Sequence, residues 1–269
     1  MDIDNKYGAL VIQERLLPLL KRFHSFCLEH DIKYSLDWGS LLGAVRHKGF
    51  IPWDDDLDIM VNRENYCKIV NTIKENSELV LENQNLKTLW IGRVRFAQDD
   101  HKTIYPPTID ILIMDNAPDG KLARKWRIFK ALMLQGMLKV YPNFKKGNII
   151  MRMSTFFTYY FGKLFSRETK LRWYDRLAQR SNDKPTKNIT SYFEEYSCQG
   201  KYYSPNLLDN VVLASFEDTE AYIVKDFNTC LTIQFGPDYM TPPKESERKP
   251  SHIEKTKRIQ QKYAQQKHA

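Results

Sequence analysis

Asp37-Trp38-Gly39-Ser40-Leu41-Leu42-Gly43-Ala44-Val45-Arg46-His47-Lys48-Gly49-Phe50-Ile51-Pro52-Trp53-Asp54-Asp55-Asp56-Leu57-Asp58-Ile59 is the stretch that decides the fold of this 269-residue chain. At its end, polar and apolar residues alternate, as on a half-buried strand. Side chains two apart on a strand face the same side, so Asp56 and Asp58 converge while Leu57 and Ile59 enter the core. A hard, oxygen-rich pair of this kind suits Mg²⁺ or Mn²⁺ holding phosphate oxygens. Earlier in the stretch, Gly39 and Ser40 open a short helix over Leu41–His47. That turn offers backbone N–H donors and a hydroxyl to an anion. Asp54 and Asp55 read as solvated loop residues.

The elements on either side give a mixed α/β fold. Leu10, Leu16, Leu17, Leu20, Phe23 and Cys27 recur at helical spacing, which predicts an amphipathic helix kinked or started at Pro18. Ile32–Leu36 and Leu57–Val61 read as strands, and Asn62 caps a helix running from Arg63 toward Lys74. Further strands are expected at Trp90–Phe96, Thr108–Met114 and Val211–Phe216, and a helix over Lys225–Phe235 stops at Gly236. Asp115 reads as a turn residue before Asn116-Ala117-Pro118. The tail from Lys244 is polar and frayed.

Forty-one Lys and Arg against 33 Asp and Glu give a net charge of +8. The excess is local: from Gly120 to Arg167 there are 11 basic residues and no acidic one, so the rest of the chain carries 8 − 11 = −3. An anionic partner is implied for that segment, although no RNA- or DNA-binding signature accompanies the charge and no nucleic acid is expected. Leu122, Trp126, Phe129, Met133, Met137 and Val140 recur at three- or four-residue steps there, followed by Phe156-Phe157-Thr158-Tyr159-Tyr160-Phe161. The stripe serves either as core or as part of a helix pair lying on an anionic membrane leaflet. Ile149–Phe165 is broken by Arg152 and Lys163, too polar for a span. Four scattered cysteines and an acidic, non-apolar N-terminus point to a cytoplasmic protein, peripheral at most at the inner membrane face.

Gly-Ser followed by an Asp-x-Asp strand resembles the layout of the nucleotidyltransferase superfamily, in which a third carboxylate comes from a later strand. Asp110, an acid inside the apolar run Ile109–Met114, fits. The longer run from Gly39 to Ile59, with Arg63-Glu64-Asn65-Tyr66, closely resembles the LicD family of phosphocholine transferases and its fukutin-type relatives. The likeness extends to Arg93-Val94-Arg95, Thr103, Ile109-Asp110-Ile111, Phe216-Glu217, Phe235-Gly236-Pro237-Asp238-Tyr239-Met240, Pro242-Pro243, Arg248 and His252. Ser40 stands where the family often has Thr, and Val224 where Pro is expected in a loop.

The resemblance implies a nucleotidyltransferase-like α/β (α+β) fold: a mixed sheet flanked by helices, with a basic helical insertion. Expected divisions are a catalytic core over 1–118, the basic segment over 119–190, a part completing the core over 191–250 and a tail over 251–269. It also implies metal-dependent transfer of phosphocholine from CDP-choline to a sugar hydroxyl of a lipid-linked bacterial glycan precursor, of teichoic acid or lipopolysaccharide type, with CMP leaving. Asp56, Asp58 and Asp110 would carry the metal and the catalysis. Gly39, Ser40, Arg46, Lys48, Arg93 and Arg95 would hold the donor phosphates. Trp38, Trp53, Glu217 and His252 are candidates for headgroup or acceptor, with Tyr202 and Tyr203 as further aromatic faces and His47 as a structural or basic histidine. An NTP-dependent nucleotidyltransferase, or transfer of another CDP-activated alcohol phosphate, is the alternative.

Overall fold

The computed structural model describes residues 6–82, 91–99, 107–139, 142–145, 147–194 and 198–250. Along the chain run α1 (Leu10–Glu29), β1 (Ser35–Leu36), α2 (Trp38–His47), β2 (Leu57–Asn62), α3 (Arg63–Thr72), β3 (Leu79–Glu82), β4 (Gly92–Phe96) and β5 (Ile109–Asn116). They continue with α4 (Lys121–Leu138), α5 (Ile149–Gly162), α6 (Arg167–Gln179), β6 (Ile189–Ser191), β7 (Val211–Phe216), β8 (Thr219–Val224) and α7 (Phe227–Phe235). The fold is mixed α/β: one sheet has the order β1-β2-β5-β4-β3, β6 pairs with β5, and β7 and β8 form a separate hairpin.

The chain divides into two compact units, one of 1–81, 93–111 and 208–269, the other of 82–92 and 112–207. The expected boundaries at 118/119 and 190/191 both fall inside the second unit.

In the first unit, α1 buries Leu16, Leu19, Leu20, Phe23, Phe26 and Cys27. Pro18 lies within this helix on an exposed position and does not end it. The strand expected over Ile32–Leu36 shrinks to Ser35–Leu36, whose residues pair antiparallel with Met60 and Ile59 of β2. Asn62 caps α3 as expected, accepting from the Asn65 N–H at 2.8 Å. Helix α7 ends at Gly236, whose φ of +93° only glycine adopts readily.

Asp115 and Val224 depart from their readings. Asp115 is a buried strand residue opposite Thr190, and its carboxylate accepts from Asn182 Nδ2 at 2.6 Å. A partner 67 residues away makes an inward-facing acid tolerable here. Val224 is the last residue of β8, not a loop position, and its N–H donates to Ser35 Oγ at 2.9 Å. Proline has no N–H to give.

In the second unit, α4 packs against α5 through small residues. A Cβ at Gly136 would overlap the Thr158 hydroxyl, and one at Gly162 would overlap the backbone of Met137. Lys170 of α6 donates to the carbonyls of Gly162 (2.9 Å) and Met137 (3.2 Å), tying the three helices together.

Candidate active site

Asp58 is fixed by its own backbone. Its N–H donates to Ser40 Oγ at 2.9 Å, and its carbonyl accepts from the Asp37 N–H at 2.9 Å. The hydroxyl expected to greet an anion therefore docks the first turn of α2 onto β2. Asp37 caps that helix, its carboxylate accepting from the Trp38 N–H (2.9 Å) and from Gln234 Nε2 of α7 (2.6 Å).

The loop before β2 is drawn under the same turn. Gln13 of α1 donates to the carbonyls of Ile51 (2.9 Å) and Asp54 (2.7 Å). Gly39 lets the Asp54 carboxylate approach, for a Cβ there would overlap Asp54 Oδ2. This corrects the reading of Asp54 and Asp55 as solvated: Asp55 is fully buried and Asp54 half-buried. The apolar alternation that marked Asp56 and Asp58 carried no sign of it. Its signals were the remote Gln13 and the missing side chain of Gly39.

Asp37, Asp54, Asp56, Asp58 and Asp110 thus crowd one place. Burial, then the charges of Asp56, Asp110, Asp37 and Asp54, push the Asp58 carboxyl well above the usual carboxylate range. Asp54 is raised likewise by burial, by the charge of Asp56 and by a hydrogen bond between the two carboxyls. Asp37 rises to about 6, mainly through burial, against the opposing hydrogen bonds from Gln234 and Trp38. An all-oxygen carboxylate set with raised affinity for protons is one that a hard divalent cation fits.

Asp110, on β5, is buried and held by Arg93 of β4: Nε lies 2.6 Å from Oδ1 and Nη2 2.7 Å from Oδ2. Among the described residues no three Asp, Glu, His or Cys side chains already close around one point as a ligand set. Arg95, buried beside it on β4, donates to the carbonyls of Phe96 (2.7 Å) and Asp99 (3.2 Å), fastening the turn that follows.

The other predicted residues occupy several roles. Arg46 donates to the Tyr239 carbonyl at 3.0 Å and to His47 Nε2 at 2.9 Å. Burial and the neighbouring Arg248 disfavour its charge, and Asp54 favours it. Trp53 carries the Arg248 guanidinium 5.0 Å and the Arg46 guanidinium 5.9 Å from its ring centre, with His47 edge-on at 6.2 Å. Lys48 ends α2 in the left-handed region (φ 61°), with its side chain exposed. Glu217, also left-handed (φ 54°), accepts from the Phe50 N–H at 2.8 Å, and its approach leaves no room for a Cβ at Gly49. Trp38, with φ 43°, meets Phe235 edge-on at 5.6 Å. In the second unit, Tyr202 lies beneath the Arg124 guanidinium at 4.6 Å, and Tyr203 is buried and bridged to Ile189. Thr103 and His252 lie outside the described residues. Sequence reasoning missed Asp37, Asp54 and Gln234.

Residues 31–126, which include every acid of this cluster, match the family described as "LicD/FKTN/FKRP, nucleotidyltransferase domain". The chain is 30% identical over 263 residues to the lipopolysaccharide cholinephosphotransferase LicD of Haemophilus influenzae, covering 88% of this chain and 93% of that protein. It is also 41% identical over 64 residues to an uncharacterized protein of Rickettsia prowazekii, 24% of each chain. Near-complete coverage of a relative at this identity, on a fold whose acids gather where the family's domain matches, makes the chain a member of the LicD family.

Proposed function

We propose that the protein transfers phosphocholine from CDP-choline to a sugar hydroxyl of a lipid-linked bacterial glycan precursor, releasing CMP. Family membership carries the coarse statement, a phosphotransferase. The headgroup is taken from the relative's activity, and the metal chemistry rests on a single observation: Asp54, Asp56, Asp58 and Asp37 are gathered around the N-terminal turn of α2 with their charges in conflict. Asp56 and Asp58, with Asp110 as the third carboxylate, would hold Mg²⁺ or Mn²⁺, which supplies neutralisation of the donor pyrophosphate when bound.

The chain's own residues do the rest. Ser40 and Asp37 hold Asp58 in place through its backbone, so that its carboxylate keeps one position. Asp110 is the candidate to accept the proton of the attacking hydroxyl, with Arg93 setting its orientation through two contacts. Arg46, its charge supported by Asp54, and the exposed Lys48 are the candidates for the donor phosphates. For the quaternary ammonium we favour the edge-on pair Trp38–Phe235, which adjoins the acidic Asp37, over Trp53, whose ring already faces two guanidiniums.

The test is incubation with CDP-choline and an acceptor extract, with labelled NTPs in parallel. CMP release and choline incorporation support the proposal. Pyrophosphate release from an NTP, with CDP-choline untouched, replaces it with nucleotidyl transfer. Asp56→Asn and Asp110→Asn should each lower turnover by on the order of 10²-fold, and chelator should abolish it until Mg²⁺ or Mn²⁺ is restored.

A further inference from the structure

Helix α5 is inside out. Its buried residues are Thr158 and Gly162, whereas Ile150 (73% exposed), Phe157 (62%), Phe161 (56%) and Met153 (53%) face solvent. A helix that serves a water-soluble core does the reverse. The inward face has no need of these side chains, because Gly136 against Thr158 and Gly162 against Met137 already bring α4 and α5 into close contact. Helix α4 repeats the pattern in its first half. Leu122 (83%), Trp126 and Phe129 are exposed, and only farther along, at Ala131, Gln135, Gly136, Met137 and Leu138, does it become buried. The stripe that could have been core is core at one end only. Exposed apolar surface of this extent on one unit marks a contact surface.

The charge identifies what the surface meets. The 11 basic residues of Gly120–Arg167 stand without one acid among them. Some have internal work: Arg124 donates to the Pro118 carbonyl and Arg127 to Ser181 Oγ. Lys121, Lys125 and Lys145 are exposed. Lys130 lies 5.1 Å over the Trp126 ring and Lys163 4.7 Å over Tyr159, cationic heads set above aromatic faces as at a boundary between oil and water. A second copy of the same face would bring like charges together, and no helix among the described residues is long and apolar enough to cross a membrane. We infer that α4 and α5 dock the protein onto an anionic membrane leaflet, the exposed residues of α5 and the first turns of α4 entering the headgroup layer while the lysines meet lipid phosphates.

This inference stands apart from the transferase reading, and its test needs no substrate. The full chain is sedimented with phosphatidylcholine vesicles with and without phosphatidylglycerol, at low and high salt. Binding should require the anionic lipid and weaken with salt. Lys121→Gln/Lys125→Gln/Lys145→Gln should lower partitioning by about fivefold per lysine removed. Ile150→Ser/Phe157→Ser/Phe161→Ser should abolish it, with circular dichroism and thermal melting unchanged because these side chains are outward-facing. Failure of the parent chain to bind, or equal binding by either variant, overturns the inference. So does a parent dimer that the serine variant dissociates without any vesicle binding, which would make the face a contact between copies of this chain.

Discussion

Asp37→Asn isolates the electrostatic conflict at the N-terminus of α2. Buried Asp37 titrates at about 6 rather than 3.8, so ionising it in the folded chain costs about 3 kcal/mol, at 1.36 kcal/mol per pH unit. Between those two values the folded chain holds the proton that the unfolded chain has released. The stabilisation is therefore complete below pH 3.8, declines as pH rises and is gone above about 6. Asparagine keeps an oxygen to accept from the Trp38 N–H and Gln234 Nε2, yet never ionises. Its charge also no longer burdens Asp58, which reinforces the sign. Relative to the parent, the variant should gain about 3 kcal/mol as pH climbs through this window, about 6–12 °C in melting temperature for a domain of this size. Thermal melts from pH 4 to 8 in chelator, parent against variant, read the divergence directly. Parallel curves would refute the argument, showing that Asp37 is solvated or already charge-compensated.

Arg93→Gln should destabilise the protein by about 3 kcal/mol in urea denaturation, because it leaves the buried Asp110 carboxylate without its two-point partner. Val224→Pro, though it restores the residue expected in relatives, should cost about 1–3 kcal/mol through loss of the N–H donated to Ser35 Oγ; an unchanged melting temperature would show that bond to be dispensable. Stabilisation by Mg²⁺ in thermal shift should grow as pH rises, since the raised Asp58 must lose its proton before it binds a cation, and a pH-independent shift would place the ion elsewhere. Asp58→Asn should remove that Mg²⁺ response and lower CMP release by on the order of 10²-fold.

The strand that carries Asp58 was legible because alternation is a local property: Leu57 and Ile59 are fully buried, as their spacing requires. The Asn62 cap and the Gly236 stop were legible for the same reason. Asp54 was not, because it and Asp55, opening a run of aspartates, read as solvated unless one knows that α1 reaches across with Gln13. Nor could the structural contact of Ser40 be read. Its hydroxyl has the right chemistry for a phosphate, but the nearest donor, the Asp58 N–H, is brought to it by the fold. Periodicity also left two fates open for α4, since a 3.6-residue stripe records which residues share a face and not whether anything covers that face.

The contacts that complete the site come from opposite ends of the chain. Gln234 meets Asp37 across 197 residues, Arg46 meets the Tyr239 carbonyl across 193, Val224 meets Ser35 across 189 and Glu217 meets Phe50 across 167. Between these partners lies the whole second unit. On a ribosome, the matched stretch 31–126 therefore emerges long before the hairpin and helix that latch it, and waits with its acids unassembled while α4–α6 are made. Closing such long loops is slow. Catalytic competence becomes a late event of synthesis, and chains cut short before α7 are born inactive.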